Sequence, residues 1–287
     1  MYAVAGVSGH TGSVVAEELL RRGKTIRVIV RNAGKGERWK ARGAEVAVAS
    51  VEDDEALTRA FEGVEGIYLL SPPDMASTDM IGRARRIGDA FVSAIRKSGV
   101  KHVVFLSSIG AQLENGTGPI RSLREIEQRL IPLGISVTLL RPTYFIENWG
   151  ASLGPAAESG VFPSFLPAAK RFPQIATKDI GIAAADALEN PPNGVRVVEL
   201  AGPKDYTPAE IAAEVAKILG KPVTVAEAPL DAVVPTYMQY GISEHVATLF
   251  REMYEGFISG NITWEGAGEP RRGVTTPEEV LRPMLGR

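Results

Sequence analysis

The chain has 287 residues, 45% hydrophobic and 23% charged, enough apolar material for a sizeable core in one globular unit or two. Its 32 basic and 34 acidic residues leave a formal charge of -2, with three scattered histidines and no cysteine. That balance argues against a nucleic-acid-binding face, a metal centre, a disulfide framework and a thiolate nucleophile. No apolar run approaches the roughly 18 residues of a membrane span. A strand beginning at residue 2 leaves no room for a signal peptide, so the expectation is a soluble cytoplasmic protein.

Tyr2 to Ala5 is a short apolar run suited to a buried strand, and from Gly12 onward Val14, Val15, Leu19 and Leu20 share one helical face. Between strand and helix lies Gly6-x-x-Gly9-x-x-Gly12. Gly6 allows the tight turn, Gly9 lets backbone approach a pyrophosphate, and Gly12 lets helix and strand pack closely. The phosphates would rest on free amides at the helix N-terminus, with His10 a candidate phosphate donor inside the turn. Thr25 to Val30 forms a second strand, closed by Arg31. In nicotinamide-binding folds an acid at this position holds a free ribose 2′-hydroxyl, whereas an arginine accommodates a 2′-phosphate. Arg31, followed by Lys35 and Arg38, therefore favours NADP(H) over NAD(H).

Helix and strand then alternate: a helix near 36–42, a strand from Ala44 to Val48, a helix from Asp53 to Phe61 and a strand from Gly66 to Leu70. A long helix over 76–98, an almost wholly apolar strand from Val100 to Ser107, a helix over 119–133 and a strand from Ile135 to Leu140 follow. This rhythm predicts right-handed crossovers and a parallel sheet with helices on both faces. Residues 143–175 are too rich in glycine, proline and aromatic residues for another such unit. A helix over 179–189 and a strand from Val195 to Leu200 return to the sheet. Helices near 207–219, 230–238, 243–259 and 277–285 form a smaller cap, the last opening with the capping box Thr276-Pro277-Glu278-Glu279. The fold class is thus α/β, a doubly wound parallel sheet with a smaller, mainly helical C-terminal lobe. Residues 1–142 make the dinucleotide-binding domain, completed by about 176–203, and 143–175 with 204–287 make the lobe.

Several stretches together resemble the NmrA-like group of atypical short-chain dehydrogenases: the glycine turn, Val30-Arg31-Asn32, Tyr68-Leu69-Leu70-Ser71-Pro72-Pro73, Phe105-Leu106-Ser107-Ser108, Leu139 to Asn148, and Leu200-Ala201-Gly202-Pro203. The resemblance implies a Rossmann sheet, a C-terminal substrate lobe and NADP(H) as the usual dinucleotide. It places Ser8, His10 and Thr11 on the pyrophosphate, and Arg31 with Asn32 at the adenosine phosphate. Ser50 and Val51 border adenine, Leu70, Ser71 and Pro72 the nicotinamide ribose, and Pro142 to Phe145, including Tyr144, the nicotinamide face. Relatives often carry Gly-Asp where this chain has Ala49-Ser50.

The chemistry departs further from the wider superfamily. Typical short-chain dehydrogenases protonate the substrate oxygen with a tyrosine, assisted by a lysine four residues on and by a serine after the fifth strand. Here those tyrosine and lysine positions fall at about Pro119 and Leu123, neither of which transfers a proton. Arg121 and Arg124 lie nearby, but arginine stays charged and is a poor acid. Ser107 or Ser108 remains from the usual set, with Tyr144 the best hydrogen-bond donor, so Ser108 and Tyr144 are the catalytic candidates. Phe145, Asn148 and Trp149 are the candidate substrate contacts. Acceptors such as quinones, conjugated imines and cationic dyes need no protein acid, because hydride enters an electron-poor atom directly. The leading expectation is an NADPH-dependent reductase of such planar molecules. The alternative is a non-catalytic NADP(H)-binding redox sensor acting through a protein partner; a homodimer is also left open.

Overall fold

A computed structural model describes all 287 residues. In chain order its elements are β1 (Tyr2–Ala5), α1 (His10–Arg21), β2 (Ile26–Val30), α2 (Glu37–Lys40), β3 (Glu45–Val48), α3 (Asp54–Phe61), β4 (Gly66–Leu70), α4 (Met80–Ser98), β5 (His102–Leu106), α5 (Ile120–Leu130) and β6 (Ser136–Pro142). There follow β7 (Tyr144–Phe145), α6 (Gly150–Ser159), β8 (Val161–Ser164), β9 (Phe172–Ile175), α7 (Thr177–Glu189), β10 (Val195–Ala201), β11 (Asp205–Tyr206), α8 (Pro208–Leu219), β12 (Thr224–Glu227), α9 (Val233–Gln239), α10 (Glu244–Ser259), β13 (Glu269–Arg272) and α11 (Pro277–Met284).

Eight strands form one sheet in the order β13-β10-β6-β5-β4-β1-β2-β3, and every neighbouring pair in it is parallel. The order reverses between β1 and β4, which opens a crevice at the carboxyl ends of those strands. Apolar residues on both faces of the central strands make this possible. Ile67, Leu69, Val103 and Phe105 pack against α3, α4 and α5, whereas Val4, Tyr68, Val104 and Leu140 pack against α1 and α7. The two cores contain 24 and 23 buried residues, the near-equality expected of a sheet covered on both sides. His102 belongs to this packing: burial pushes its imidazole down to about 4, so it is neutral in the fold.

The lobe has its own core, in which Tyr144, Trp149, Phe162, Phe172, Tyr254 and Phe257 are buried. Its helices accompany two small sheets, β11-β9-β7 and β12-β8. Four details differ from the sequence expectation. The helix expected from residue 76 starts at Met80, because the Asp79 side chain accepts the Gly82 amide at 2.8 Å and caps it there. The irregular stretch contains α6, whose periodicity is masked by glycine and by Pro155 inside the helix. The β8-β12 pair unites segments about sixty residues apart, which no local pattern announces. The edge strand β13 reads Glu-Pro-Arg-Arg, without apolar alternation, since it adds backbone pairing to β10 rather than side chains to the core.

Candidate active site

The glycine turn is built as its spacing demands. Gly6 has φ +71°, a conformation that glycine adopts freely. A Cβ at Gly12 would lie 2.5 Å from the Gly6 carbonyl and 2.6 Å from that of Ala5, so α1 touches backbone that cannot yield. Gly9 differs: it is exposed, and its Cβ would meet only the Gly6 carbonyl oxygen, at 3.4 Å. It is also the N-cap of α1 and has no side-chain cap, while the first turn carries no acid. The opening amides of α1 and the positive end of its dipole therefore face the crevice unopposed. Ser8, Gly9 and His10 are exposed at this mouth; Thr11 is buried, its hydroxyl accepting a 3.1 Å bond from Tyr68.

At the end of β2, Arg31 is exposed and forms no ion pair. The Asn32 side chain is turned inward on its own loop, accepting the Gly34 amide at 2.9 Å and capping the turn Ala33–Gly36. Arg38 has a part the sequence did not disclose. Its guanidinium donates to the Val7 carbonyl at 2.7 Å and lies 4.7 Å over the Trp39 ring, tying the adenosine side to the glycine turn. Ser50 is exposed, with its hydroxyl accepting the Glu52 amide at 3.3 Å, and Val51 is half-buried against the core beneath.

Where the nicotinamide end would lie, Leu70, Leu106 and Phe145 are half-buried against the α1/α7 core, and Leu70 reaches beneath Gly6. Arg83 holds the following loop, donating to the Pro72 carbonyl at 2.9 Å and pairing with Glu52 at 3.0 Å. A cleft of about 190 Å³ opens here, lined by Ser71, Pro72, Met75, Met80, Pro119, Leu123 and Phe250 among others. Pro119 and Leu123, the two positions that lack the usual tyrosine and lysine, are on its wall. Met75, Met80 and Phe250 were not foreseen; Phe250 comes from α10, far along the chain.

Three of the candidate residues need correction. Ser108 is engaged with its neighbour, donating to the Ile109 carbonyl at 3.1 Å, whereas the buried Ser107 hydroxyl has no partner. Side chains alternate past the end of β5, so Ser107 rather than Ser108 has the free hydroxyl. Trp149 is in the lobe core, its indole N–H donating to the buried Gln174 side chain at 2.8 Å, and is no open pocket wall. Alternation along β7 directs Phe145 toward the sheet and Tyr144 into the lobe. Tyr144 is only 8% exposed, enclosed by Trp149, Phe172 and Phe257 with ring centroids 5.5 to 5.8 Å away. Burial raises its pKa above the ordinary phenol value. Asn148 is exposed, and Pro142 is buried at the end of β6.

The Arg-Pro-x-x-Phe-x-Glu-Asn segment joins the two parts of the molecule. Arg141 forms a buried two-point bond with Glu127, at 2.9 and 2.7 Å, and also pairs with Glu265. Glu147 accepts the amide and hydroxyl of Thr177 at 2.9 and 2.6 Å, anchoring the start of α7. The open Gly9 surface and the partnerless Ser107 hydroxyl fit a dinucleotide laid across the carboxyl ends of the strands. No group of three or more histidine, cysteine, aspartate or glutamate side chains is placed to hold a metal ion. No helix is long and apolar enough to cross a membrane.

The sheet order, glycine turn and appended lobe define a Rossmann-type α/β protein. The model of the NmrA-like family matches residues 2–270, and the chain belongs to that family. It is 30% identical over 267 residues to quinone oxidoreductase 2 of Escherichia coli K12, covering 91% of this chain and 90% of that protein. It is 26% identical over 257 residues to the NAD(P)H azoreductase of Xenophilus azovorans, covering 88% and 86% respectively. The crystal structure of an Escherichia coli NADPH-dependent quinone oxidoreductase complexed with NADPH superposes with a TM-score of 0.82 at 28% identity, covering 99% of this chain and 100% of that one. A triphenylmethane reductase from Citrobacter shares the fold, with a TM-score of 0.82 at 21% identity over 100% of this chain and 99% of that one.

Proposed function

We propose that this protein is an NADPH-dependent reductase of planar, electron-poor molecules: quinones, conjugated imines or dye-like cations. The observation that carries the reading is the cleft beside Leu70 to Pro72, where Pro119 and Leu123 replace the proton-transferring pair and Met75, Met80 and Phe250 add apolar wall. Such a surface favours a flat apolar acceptor over a polar carbonyl that needs an acid beside it. The relatives named for quinone and azo reduction, each aligned over most of both chains, support the same class.

A bound reduced nicotinamide supplies the hydride. The chain's own residues do the rest. The α1 amides and Arg31 bind the phosphates, Arg38 fixes the glycine turn, and Leu70, Leu106 and Phe145 form an apolar floor that excludes water. Ser107, whose buried hydroxyl has no other partner, is the hydroxyl donor for the acceptor oxygen. The test is a screen of NADPH oxidation against quinones, enones, iminium compounds and cationic dyes, run beside titrations of NADPH and NADP. Continuous consumption with at least one acceptor is expected. Tight binding with no turnover would instead support the redox sensor, a reading that the missing tyrosine and lysine also suit.

The preference for NADPH rests on Arg31, which is exposed and unpaired at the end of β2. Arg31→Asp is expected to weaken NADPH binding by roughly tenfold or more, about 1.4 kcal/mol, and to leave NADH unchanged or improved. Equal loss of both in fluorescence titrations would remove Arg31 from the adenosine phosphate.

A further inference from the structure

Residues 71–79, the loop between β4 and α4, supply one wall of the cleft through Pro72 and Met75, and α10 supplies another through Phe250. The outer half of that loop is fastened to α10 itself. The Ser243 amide donates to the Met75 carbonyl at 2.9 Å. The Ser243 hydroxyl donates to the Ser77 carbonyl and accepts the Val246 amide at 3.2 Å, so one side chain both caps α10 and holds the loop. Two residues on, His245 Nε2 accepts the Met80 amide at 3.3 Å and ties the first residue of α4 to the same helix. The inner end is held separately, by Arg83 of α4 donating to the Pro72 carbonyl at 2.9 Å. The loop is therefore a strap with an inner clamp on α4 and an outer clamp at the start of α10.

The cleft it bounds has about 190 Å³, below the roughly 300 Å³ at which pockets for drug-sized ligands begin. That space suits a one- or two-ring acceptor. A triarylmethane cation, with three rings set around a central carbon, needs more. Met75 is the wall residue best placed to yield, since it is 39% exposed and carries an unbranched, adaptable side chain. Pro119 and Leu123, by contrast, belong to the start of α5, and Phe250 to the body of α10.

We propose that Ser243 and His245 are positioning residues that hold the 71–79 strap against α10 and thereby set the size of acceptor the cleft takes, favouring one- and two-ring quinones over three-ring dyes. The inference rests on the reductase reading given above and narrows it. Neither residue lines the cleft. Each acts through the backbone of Met75, Ser77 or Met80, and so through the two methionine side chains that do. Ser243→Asp separates the two duties of the serine: aspartate is as good an N-cap for α10, but a carboxylate has no proton to give Ser77 and repels its carbonyl. His245→Leu removes the acceptor of the Met80 amide, and His245→Gln, whose side-chain carbonyl reaches a similar point, restores one.

The experiment measures KM and kcat for menadione and for crystal violet, at saturating NADPH, in the full-length wild type, His245→Leu, His245→Gln, the double variant Ser243→Asp/His245→Leu, and Met75→Ala. In the double variant KM for menadione is expected to rise about tenfold with little change in kcat, while kcat/KM for crystal violet rises about threefold or more. His245→Leu should show the same opposed shifts to a smaller degree, and His245→Gln should return both acceptors toward wild type. The NADPH dissociation constant should be unchanged, because the inner clamp on Pro72 is intact. Met75→Ala shortens an exposed side chain and leaves the backbone bonds of the strap in place; it should shift the two acceptors in the same opposed directions, and it serves where the double variant fails to fold. Parallel losses with both acceptors would mean that these contacts only hold the lobe together, and would overturn the gate. Unchanged KM values would overturn it as well, as would a wild type that prefers crystal violet to menadione. If the wild type reduces neither molecule, the reductase reading fails by itself, and the gate is decided by titrating the same two molecules into the NADPH complex: opposed shifts in their dissociation constants uphold it, and parallel or absent shifts overturn it.

Discussion

Gly9→Asp is expected to leave the unliganded protein as stable as the wild type and to cost at least 100-fold in NADPH affinity. The fold can accept the side chain. Gly9 is exposed at φ -104°, and its Cβ would meet only one carbonyl oxygen, at an ordinary 3.4 Å. Aspartate is moreover a preferred N-cap, and its carboxylate favours the positive end of α1. That benefit is what defeats binding, since the carboxylate takes the amides meant for the pyrophosphate and adds a like charge. A 100-fold loss corresponds to about 2.7 kcal/mol, well within what a misplaced buried anion costs. Thermal unfolding and a fluorescence titration measure the two halves, and NADPH binding at wild-type strength would move the phosphate site elsewhere. Gly12→Ala should behave oppositely, because its Cβ would meet the Gly6 and Ala5 backbone at 2.5 and 2.6 Å and so destabilise the fold itself.

Glu127→Ala is expected to produce the largest stability loss, about 3–5 kcal/mol, without contacting the cleft. It strips the two-point partner from Arg141, a guanidinium only 6% exposed at the point where the sheet passes into the lobe. Glu265 retains one contact with Arg141 and is 36% exposed, which places the expected value toward the lower end of that range. Urea denaturation measures it; a loss below about 1 kcal/mol would mean that water or Glu265 compensates the charge in full.

The sequence disclosed what depends on local periodicity and on glycine geometry. β1, the glycine turn and α1 were legible because the positions of Gly6, Gly9 and Gly12 follow from backbone sterics. The parallel sheet was legible because its central strands are apolar on both faces. The exposed position of Arg31 just after β2 was legible, because a strand-end cation needs no partner to be noticed. The wall of the cleft was not legible. Phe250 reaches the cleft through lobe packing, and Arg38 reaches Val7 through a loop whose path residue types do not dictate. Ser107 and Ser108, adjacent in sequence, differ only in which face each side chain takes. Trp149 and Tyr144 were read as pocket aromatics, yet an aromatic residue next to a site and one in a core have the same composition. Only the alternation along β7 separates Phe145 from Tyr144.

Helix α7 couples the glycine turn to the lobe. A Cβ on Gly181 would sit 2.5 Å from Val14 and 3.1 Å from the Thr11 carbonyl, so α7 lies almost backbone to backbone on the helix that begins at the glycine turn. At its first residue the same helix is gripped by Glu147, which belongs to the segment leading into the lobe. It therefore ties the segment leading into the lobe to the helix that opens at the glycine turn. A bulky residue at position 181 would therefore press on the first turns of α1 from outside the crevice, displacing the helix that begins at the glycine turn.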